Sequence, residues 1–203
     1  DSNPAAGGLS KGPDARILAL NAGSRRFLTA LGAWERLAAE AHPMRAIAIS
    51  DTALEEEIRP HLLDMAAPEE DEPLAHLVPL GLLNATLRDL CREAGVEVIP
   101  ARFSGFSANA ERIDVDLGAM QVSARLLIGA DGAKSLIRMK AGIPTHGWVY
   151  GQTAIVATIR HSLPHHGEAV QHFLPSGPFA LLPLDEGRSS IVWSEKAAVA
   201  ADI

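Results

Sequence analysis

R-L-L-I-G-A-D-G-A-K-S-L-I-R, residues 125–138, carries the change from strand to helix on which the architecture turns. Leu126, Leu127 and Ile128 form a short apolar run suited to a strand buried on both faces, and residues 129–132 stop it with turn formers. The strand is expected to end near Ala130, with Asp131 and Gly132 making the turn. Ser135 then caps a helix that carries Leu136, Ile137 and Arg138 in its first turn. In an open α/β sheet, ligands sit beyond the carboxyl ends of the strands, so this turn puts Asp131 where a ligand would lie. Asp-Gly alone is a common turn pair. The weight comes from the complete string G-A-D-G-x-x-S-x-x-R behind an apolar strand.

Working upstream, residues 103–107, 112–115 and 119–122 are short alternating segments separated by N-A and L-G, the pattern of a β-meander leading into residue 125. V-E-V-I-P at 96–100 reads as a further strand. Leu83, Leu87, Leu90 and Ala94 recur at helical spacing, so residues 82–94 are expected to form a helix ending at Gly95, behind a strand at 74–80. Phe27, Leu28, Leu31, Trp34 and Leu37 predict a helix over 22–39, with Ser24 in an early capping position and Gly32 its weak point. M-R-A-I-A-I at 44–49 reads as a strand, and the acidic residues 51–73 as a solvated loop. Residues 1–13, rich in Gly, Pro and Ser, are expected to be mobile.

Downstream, the helix should stop near Gly142, with Pro144 behind it. Residues 152–159, 169–173, 178–184 and 189–193 are β-rich runs with Pro- and Gly-bearing links, expected to form a mostly antiparallel sheet. The fold class is mixed α/β. Residues 14–147 form one part, residues 148–203 belong to the β-sheet module, and residues 1–13 are a loop.

Composition excludes several functions. Lys+Arg of 18 against Asp+Glu of 25 leaves a net charge of −7 with no basic stripe, so generic nucleic-acid binding is not expected. No apolar run approaches a bilayer span, and a cytoplasmic protein is the simplest expectation. The single cysteine, Cys91, shares helical spacing with Leu87 and Leu90 and reads as a buried, inert thiol. H-S-L-P-H-H at 161–166 has no second ligand cluster at metal spacing, so no metal site is assigned.

The string G-A-D-G-x-x-S-x-x-R closely resembles the second fingerprint of the flavoprotein aromatic hydroxylases, which in that family lies against FAD and also serves NAD(P)H. The resemblance implies cofactor roles for Asp131, Gly132, Ser135 and Arg138. R-I-L-A-L at 16–20 is similar to the family's R-x-x-A-L stretch, which implies that Arg16 reaches the FAD pyrophosphate, a task suited to a planar, permanently charged fork. From Pro164, P-H-H-G-E-A-V-Q-H-F-L-P-S-G-P-F-A-L-L-P-L resembles the substrate-domain sheet of the ubiquinone-biosynthesis hydroxylases, as do G-Q-T-A-I-V-A-T-I and I-V-W. That branch acts on polyprenylated phenols.

The resemblance thus implies a partial FAD/NAD(P)-binding three-layer domain over 14–147 and a substrate-binding sheet over 148–203. Phe173, Phe179, Leu181, Leu182 and Pro183 are the candidates for lining the substrate wall. The implied reaction is hydroxylation of an aromatic ring by an FAD enzyme that consumes NAD(P)H and O2. The cofactor does the hard chemistry, so no Ser/His/Asp constellation is expected and no catalytic side chain is assigned. Peripheral attachment to the inner membrane and self-association are open. The family's G-x-G-x-x-G is absent, so the chain is expected to be an internal fragment that does not hold FAD by itself. Gly132 is expected to tolerate no side chain, and Asp131→Asn to spare stability. The alternatives are a catabolic phenol hydroxylase or an epoxidase of the same fold, or an inert remnant acting as an interaction module.

Overall fold

The computed structural model describes residues 16–203 except 54, 59, 69–71 and 186. The loop expected at 1–13 lies outside the described residues. In chain order the first elements are β1 (Ile17–Leu20), α1 (Ala22–Ala30), α2 (Trp34–Leu37), β2 (His42–Met44), β3 (Ala46–Ser50), β4 (His61–Ala66), β5 (Ala75–Pro79) and α3 (Leu80–Glu93). There follow β6 (Gly105–Ala108), β7 (Ile113–Asp116), β8 (Gln121–Ala124) and α4 (Leu136–Lys140). The last are β9 (Gln152–Arg160), β10 (Glu168–Leu174), β11 (Gly177–Pro183), β12 (Arg188–Lys196) and α5 (Ala197–Ala200). Two compact units result among the described residues, one containing Val96–Trp148 and the other combining residues 16–95 with Val149–Ile203. No helix among the described residues is long and apolar enough to cross a membrane.

The larger unit is layered around β5, which reads A-H-L-V-P. Strand alternation sends neighbouring side chains to opposite faces, and here both faces are apolar. Leu77, fully buried, joins Met44, Ala75, Ala169 and Leu184, against which Ile47 and Leu182 of a six-stranded sheet also pack. Val78, equally buried, joins Leu28, Ala33 and Leu37 beneath α1, α2 and α3. The layers are therefore helices, a three-stranded antiparallel sheet in the order β1-β5-β2, and a six-stranded sheet in the order β4-β3-β10-β11-β12-β9. The larger sheet is antiparallel except where β3 runs parallel to β10.

Several expectations need correction in this unit. The helix over 22–39 is broken, because Gly32 adopts φ +69° and its amide closes the end of α1 on the Thr29 carbonyl. Asn21, not Ser24, is the cap, its Oδ1 accepting from the Ser24 amide at 2.8 Å. The strand at 44–49 is two strands in different sheets, parted at Arg45, whose amide donates to the Gly167 carbonyl at 2.7 Å. The acidic loop contains β4, paired to β3 although all six of its residues are exposed. The sheet expected from 148–203 thus takes two more strands from residues 46–66. Cys91 is exposed, on the outer side of α3.

In the smaller unit the meander forms as expected, β6-β7-β8, with Asn109 and Gly118 at its turns. The strands expected at 96–100 and 125–130 are irregular. Val96, Val98, Leu126 and Ile128 are more than half exposed. A strand buried on both faces needs hydrogen-bonded neighbours on both edges, and no strand among the described residues pairs with either segment. The helix after the fingerprint does form, and ends at Gly142 with φ +71°.

Candidate functional site

Two places gather candidate site residues, one in each unit. In the smaller unit, the turn at 129–135 folds around the Asp131 carboxylate. Its Oδ2 accepts from the amides of Leu136 at 2.7 Å and Ile137 at 3.3 Å, and its Oδ1 accepts from the Ser135 hydroxyl. Ser135, which is buried, in turn accepts from the Arg138 amide at 3.0 Å through Oγ. Two side chains, Asp131 and Ser135, thus cap the first three amides of α4 as a unit. The Ser135 hydroxyl holds the Asp131 carboxyl below the usual carboxylate range, against the opposing effect of burial and with help from the Ile137 and Leu136 amides. The Arg138 guanidinium does not balance this carboxylate directly, since it donates to the Ala133 carbonyl at 2.9 Å and so braces the same turn.

Gly132 takes φ +90°, and a Cβ there would meet nothing within 4 Å, so its requirement is conformational and its outer side is open. Gly129, which sequence reasoning passed over, is the crowded one. A Cβ on it would lie 3.1 Å from the Ile137 side chain, and this close packing sets the turn against α4. Leu127, Gly129, Gly132, Ser135 and Arg138 contribute to the wall of a shallow cavity of about 420 Å³. Arg16 belongs to the larger unit, exposed just ahead of β1, where its carbonyl accepts from the Leu80 amide at 3.0 Å.

In the larger unit one face of the six-stranded sheet forms a cavity of about 530 Å³, lined by Ser50, His61, Val170, His172, Leu174, Phe179 and Trp193. The pairing explains the set. Ser50 lies opposite His172, His172 opposite Phe179, and Phe179 opposite Trp193, so four strands project one residue each to the same side. Phe179 and Trp193 meet edge to face with centroids 6.2 Å apart. At the polar end, Ser50 Oγ and His172 Nδ1 are 2.6 Å apart, and His172 Nε2 lies 2.9 Å from the Thr52 carbonyl. A serine and a histidine separated by 122 positions could not be joined from the sequence, where no such pair was expected. The only signal was the alternation V-Q-H-F-L, which sets His172 on the same side as Val170 and Leu174.

Of the expected wall residues, Phe179 lines this cavity, and Leu181 is on the same face by register. Pro183 shares that parity but is fully buried. Phe173 and Leu182 alternate to the opposite face, where Leu182 packs against the core of Leu77 and Ala169. The histidines of 161–166 serve the sheet's loops. His161 bonds Ser189 Oγ at 2.9 Å and the Leu163 carbonyl at 2.7 Å, and His165 bonds the Asp185 carbonyl at 3.1 Å.

Residues 10–200 match the profile of a family described as FAD binding domain. The ubiquinone hydroxylase UbiL of Rhodospirillum rubrum is 38% identical over 93% of this chain and 44% of its own length. The mitochondrial ubiquinone biosynthesis monooxygenase COQ6 of Rattus norvegicus is 33% identical over 96% of this chain and 43% of its own. The chain therefore spans under half the length of these relatives. Among solved structures, HpxO of Klebsiella pneumoniae, crystallised with FAD and uric acid, superposes with a TM-score of 0.69 at 16% identity, over 89% of this chain and 47% of its own, a likeness of fold.

Proposed function

Because this chain belongs to the FAD binding domain family, we propose that the intact protein is an FAD-dependent monooxygenase that hydroxylates a polyprenylated phenol in ubiquinone biosynthesis, consuming NAD(P)H and O2. The observation that carries the reading is the cavity on the six-stranded sheet, with aromatic and aliphatic walls and a single polar end. Its volume of about 530 Å³ falls within the range of small-molecule sites. Phe179 and Trp193 offer faces and edges to an aromatic ring, while Ser50 Oγ, backed by His172, meets a hydroxyl. Leu181 and Ile191, opposite each other on the same face, extend the apolar surface for a tail, each buried methylene contributing about 0.8 kcal/mol. In functional terms, residues 148–203 with β3 and β4 supply the substrate wall, and the rest of 14–147 supplies cofactor contacts.

The turn at Asp131 fits a sugar or polyol more readily than a phosphate. Its carboxylate already occupies the amides at the start of α4, and its remaining lone pairs can accept from hydroxyls. Asp131 would hold FAD through ribose or ribityl hydroxyls, Gly132 would let the backbone approach, and Ser135 and Arg138 would keep the turn in shape. Arg16 would neutralise pyrophosphate charge. Bound FAD supplies the redox and oxygen chemistry, leaving the protein to orient the ring and exclude water. A polyprenylated substrate places a cytoplasmic enzyme at the inner-membrane surface, as a peripheral protein.

The test is product analysis with the intact protein, FAD, NAD(P)H and a short-chain prenylated phenol. The expected result is one added ring oxygen, with KM raised roughly tenfold or more in Phe179→Ala from lost aromatic contact. NAD(P)H consumption without a hydroxylated ring, or a Phe179→Ala enzyme with unchanged KM, would overturn the assignment.

A further inference from the structure

We propose that Ser50 and His172 form a proton relay that takes the hydroxyl proton from a phenol bound in the sheet cavity, an inference that rests on the reading above. The direction of the relay is fixed by the backbone. The Thr52 carbonyl can only accept, so the 2.9 Å contact puts the hydrogen of the neutral imidazole on Nε2. Nδ1 is then an acceptor, and the 2.6 Å contact is donated by the Ser50 hydroxyl. Ser50 Oγ is left with lone pairs on the cavity side of a chain whose hydrogens all point away from it. A phenol hydroxyl is the chemistry that matches.

The step balances as a transfer of protons alone. The phenol O–H bond breaks as a new bond to Ser50 Oγ forms, and the former Ser50 hydroxyl proton passes to Nδ1. The products are a phenolate and an imidazolium, with both imidazolium N–H groups met, one by Ser50 and one by Thr52. The phenolate pushes electron density onto its ortho and para carbons, which makes those carbons nucleophilic toward an electrophilic oxygen. The aromatic walls hold the ring while the relay acts on one atom of it. Thr52, whose carbonyl meets His172, also carries a buried Oγ1 with no hydrogen-bond partner among the described residues.

The titratable neighbours on this face are His61 and Asp64 of β4, Glu168 of β10 and Glu195 of β12. His61 also lines the cavity, but its Nδ1 is engaged by Asp64 at 2.6 Å and its side chain is half exposed. Glu195 is turned to the Lys196 amide at 2.7 Å. Ser50 with His172 is the pair whose hydrogen bonds form a directed chain.

The experiment binds 4-nitrophenol, whose ionised form absorbs in the visible, to the intact FAD-loaded protein at one pH below the probe's own midpoint. The expected result is a higher ionised fraction in the bound probe than in the free one. That excess should be abolished in His172→Gln, which can keep both hydrogen bonds but cannot accept the proton. It should also be abolished in Ser50→Ala and restored in Ser50→Thr, and kcat in His172→Gln should fall by about a hundredfold or more with little change in KM. The relay is overturned if the parent binds the probe un-ionised or fails to bind it, or if His172→Gln ionises it as the parent does. Loss of ionisation in His61→Gln together with retention in His172→Gln moves the role to His61 and equally overturns it. Hydroxylated product is measured in parallel, so that product without ionisation sinks the relay and leaves the monooxygenase reading standing, while ionisation without product does the reverse.

Discussion

Asp131 is both a capping residue and a cofactor candidate, and this double use changes what its variants report. From the sequence, Asp131→Asn should leave stability nearly untouched. With the carboxylate accepting from Ser135, Leu136 and Ile137, an amide in its place has one oxygen to serve three donors and turns an N–H group toward at least one of them. Asp131→Asn should therefore lower Tm as well as FAD affinity. The pH dependence follows from the depressed carboxyl pKa. The stabilisation is fully present above the unfolded-state carboxylate range and is lost as pH falls through the lower folded-state value, so the parent should lose Tm on acidification more steeply than Asp131→Asn. Parallel Tm curves for the two proteins would contradict the capping role. Gly132→Ala should cost about 1–2 kcal/mol from its positive φ alone, since the added methyl meets no atom of the chain. A larger drop in FAD affinity than in stability would then report the cofactor's approach to the turn. Chemical denaturation and flavin titration on the same folded samples separate the two.

At the scale of elements, β11 shows why a correct strand can still mislead about a site. F-A-L-L-P-L is apolar at nearly every position, so the two faces cannot be told apart by alternation, and Leu181, Leu182 and Pro183 all look eligible for a substrate wall. Register decides it: Leu181 is opposite Val170 of the cavity, whereas Leu182 turns to the core with Ile47 and Leu77. Leu182→Ala should cost about 2 kcal/mol or more of stability with kcat and KM little changed in the folded fraction. Leu181→Ala should instead raise KM for long-tailed phenols with little change in Tm. Should Leu182→Ala raise KM at unchanged Tm, the faces have been assigned the wrong way round. The α4 turn, the meander and β9 to β12 were legible because turn residues punctuate short runs, at 109 and 118 in the meander, at 142 behind α4, and at Gly167, Gly177 and Gly187 among the last strands. By contrast, β4 was hidden because H-L-L-D-M-A lies inside an acidic stretch and is a strand only through β3. The Ser50 and His172 pair was hidden for the same reason, being created by the parallel pairing of β3 with β10.

Across the whole chain, burial is distributed unequally between the two units. In the segment Val96–Trp148 only Val115 and Ser135 are buried among the described residues, and one of these is a polar cap. The other unit holds both apolar clusters, centred on Leu77 and on Val78, Leu28 and Leu37. The two segments whose sequences most resemble buried strands, 96–100 and 125–130, are the ones that stay irregular with their valine, leucine and isoleucine side chains exposed. Local pattern specified an apolar extended segment, but burial is a property of neighbours, and a segment of this length buries too little apolar area to offset the entropy of ordering it. Amide hydrogen exchange of this chain should therefore show a clear order. The amides of 96–100 and 125–130 exchange fastest, because no backbone ladder protects them. The meander β6-β7-β8 and α4 follow, opening with a free energy well below that of the larger unit. The central strands β10, β11 and β12 exchange last, since each is paired on both edges. Raising denaturant concentration should leave the exchange of the first group unchanged and accelerate the last only near global unfolding. Protection of residues 126–128 equal to that of 179–182 would mean that the fingerprint strand does form in this chain, and would remove the physical reason given for its irregular backbone.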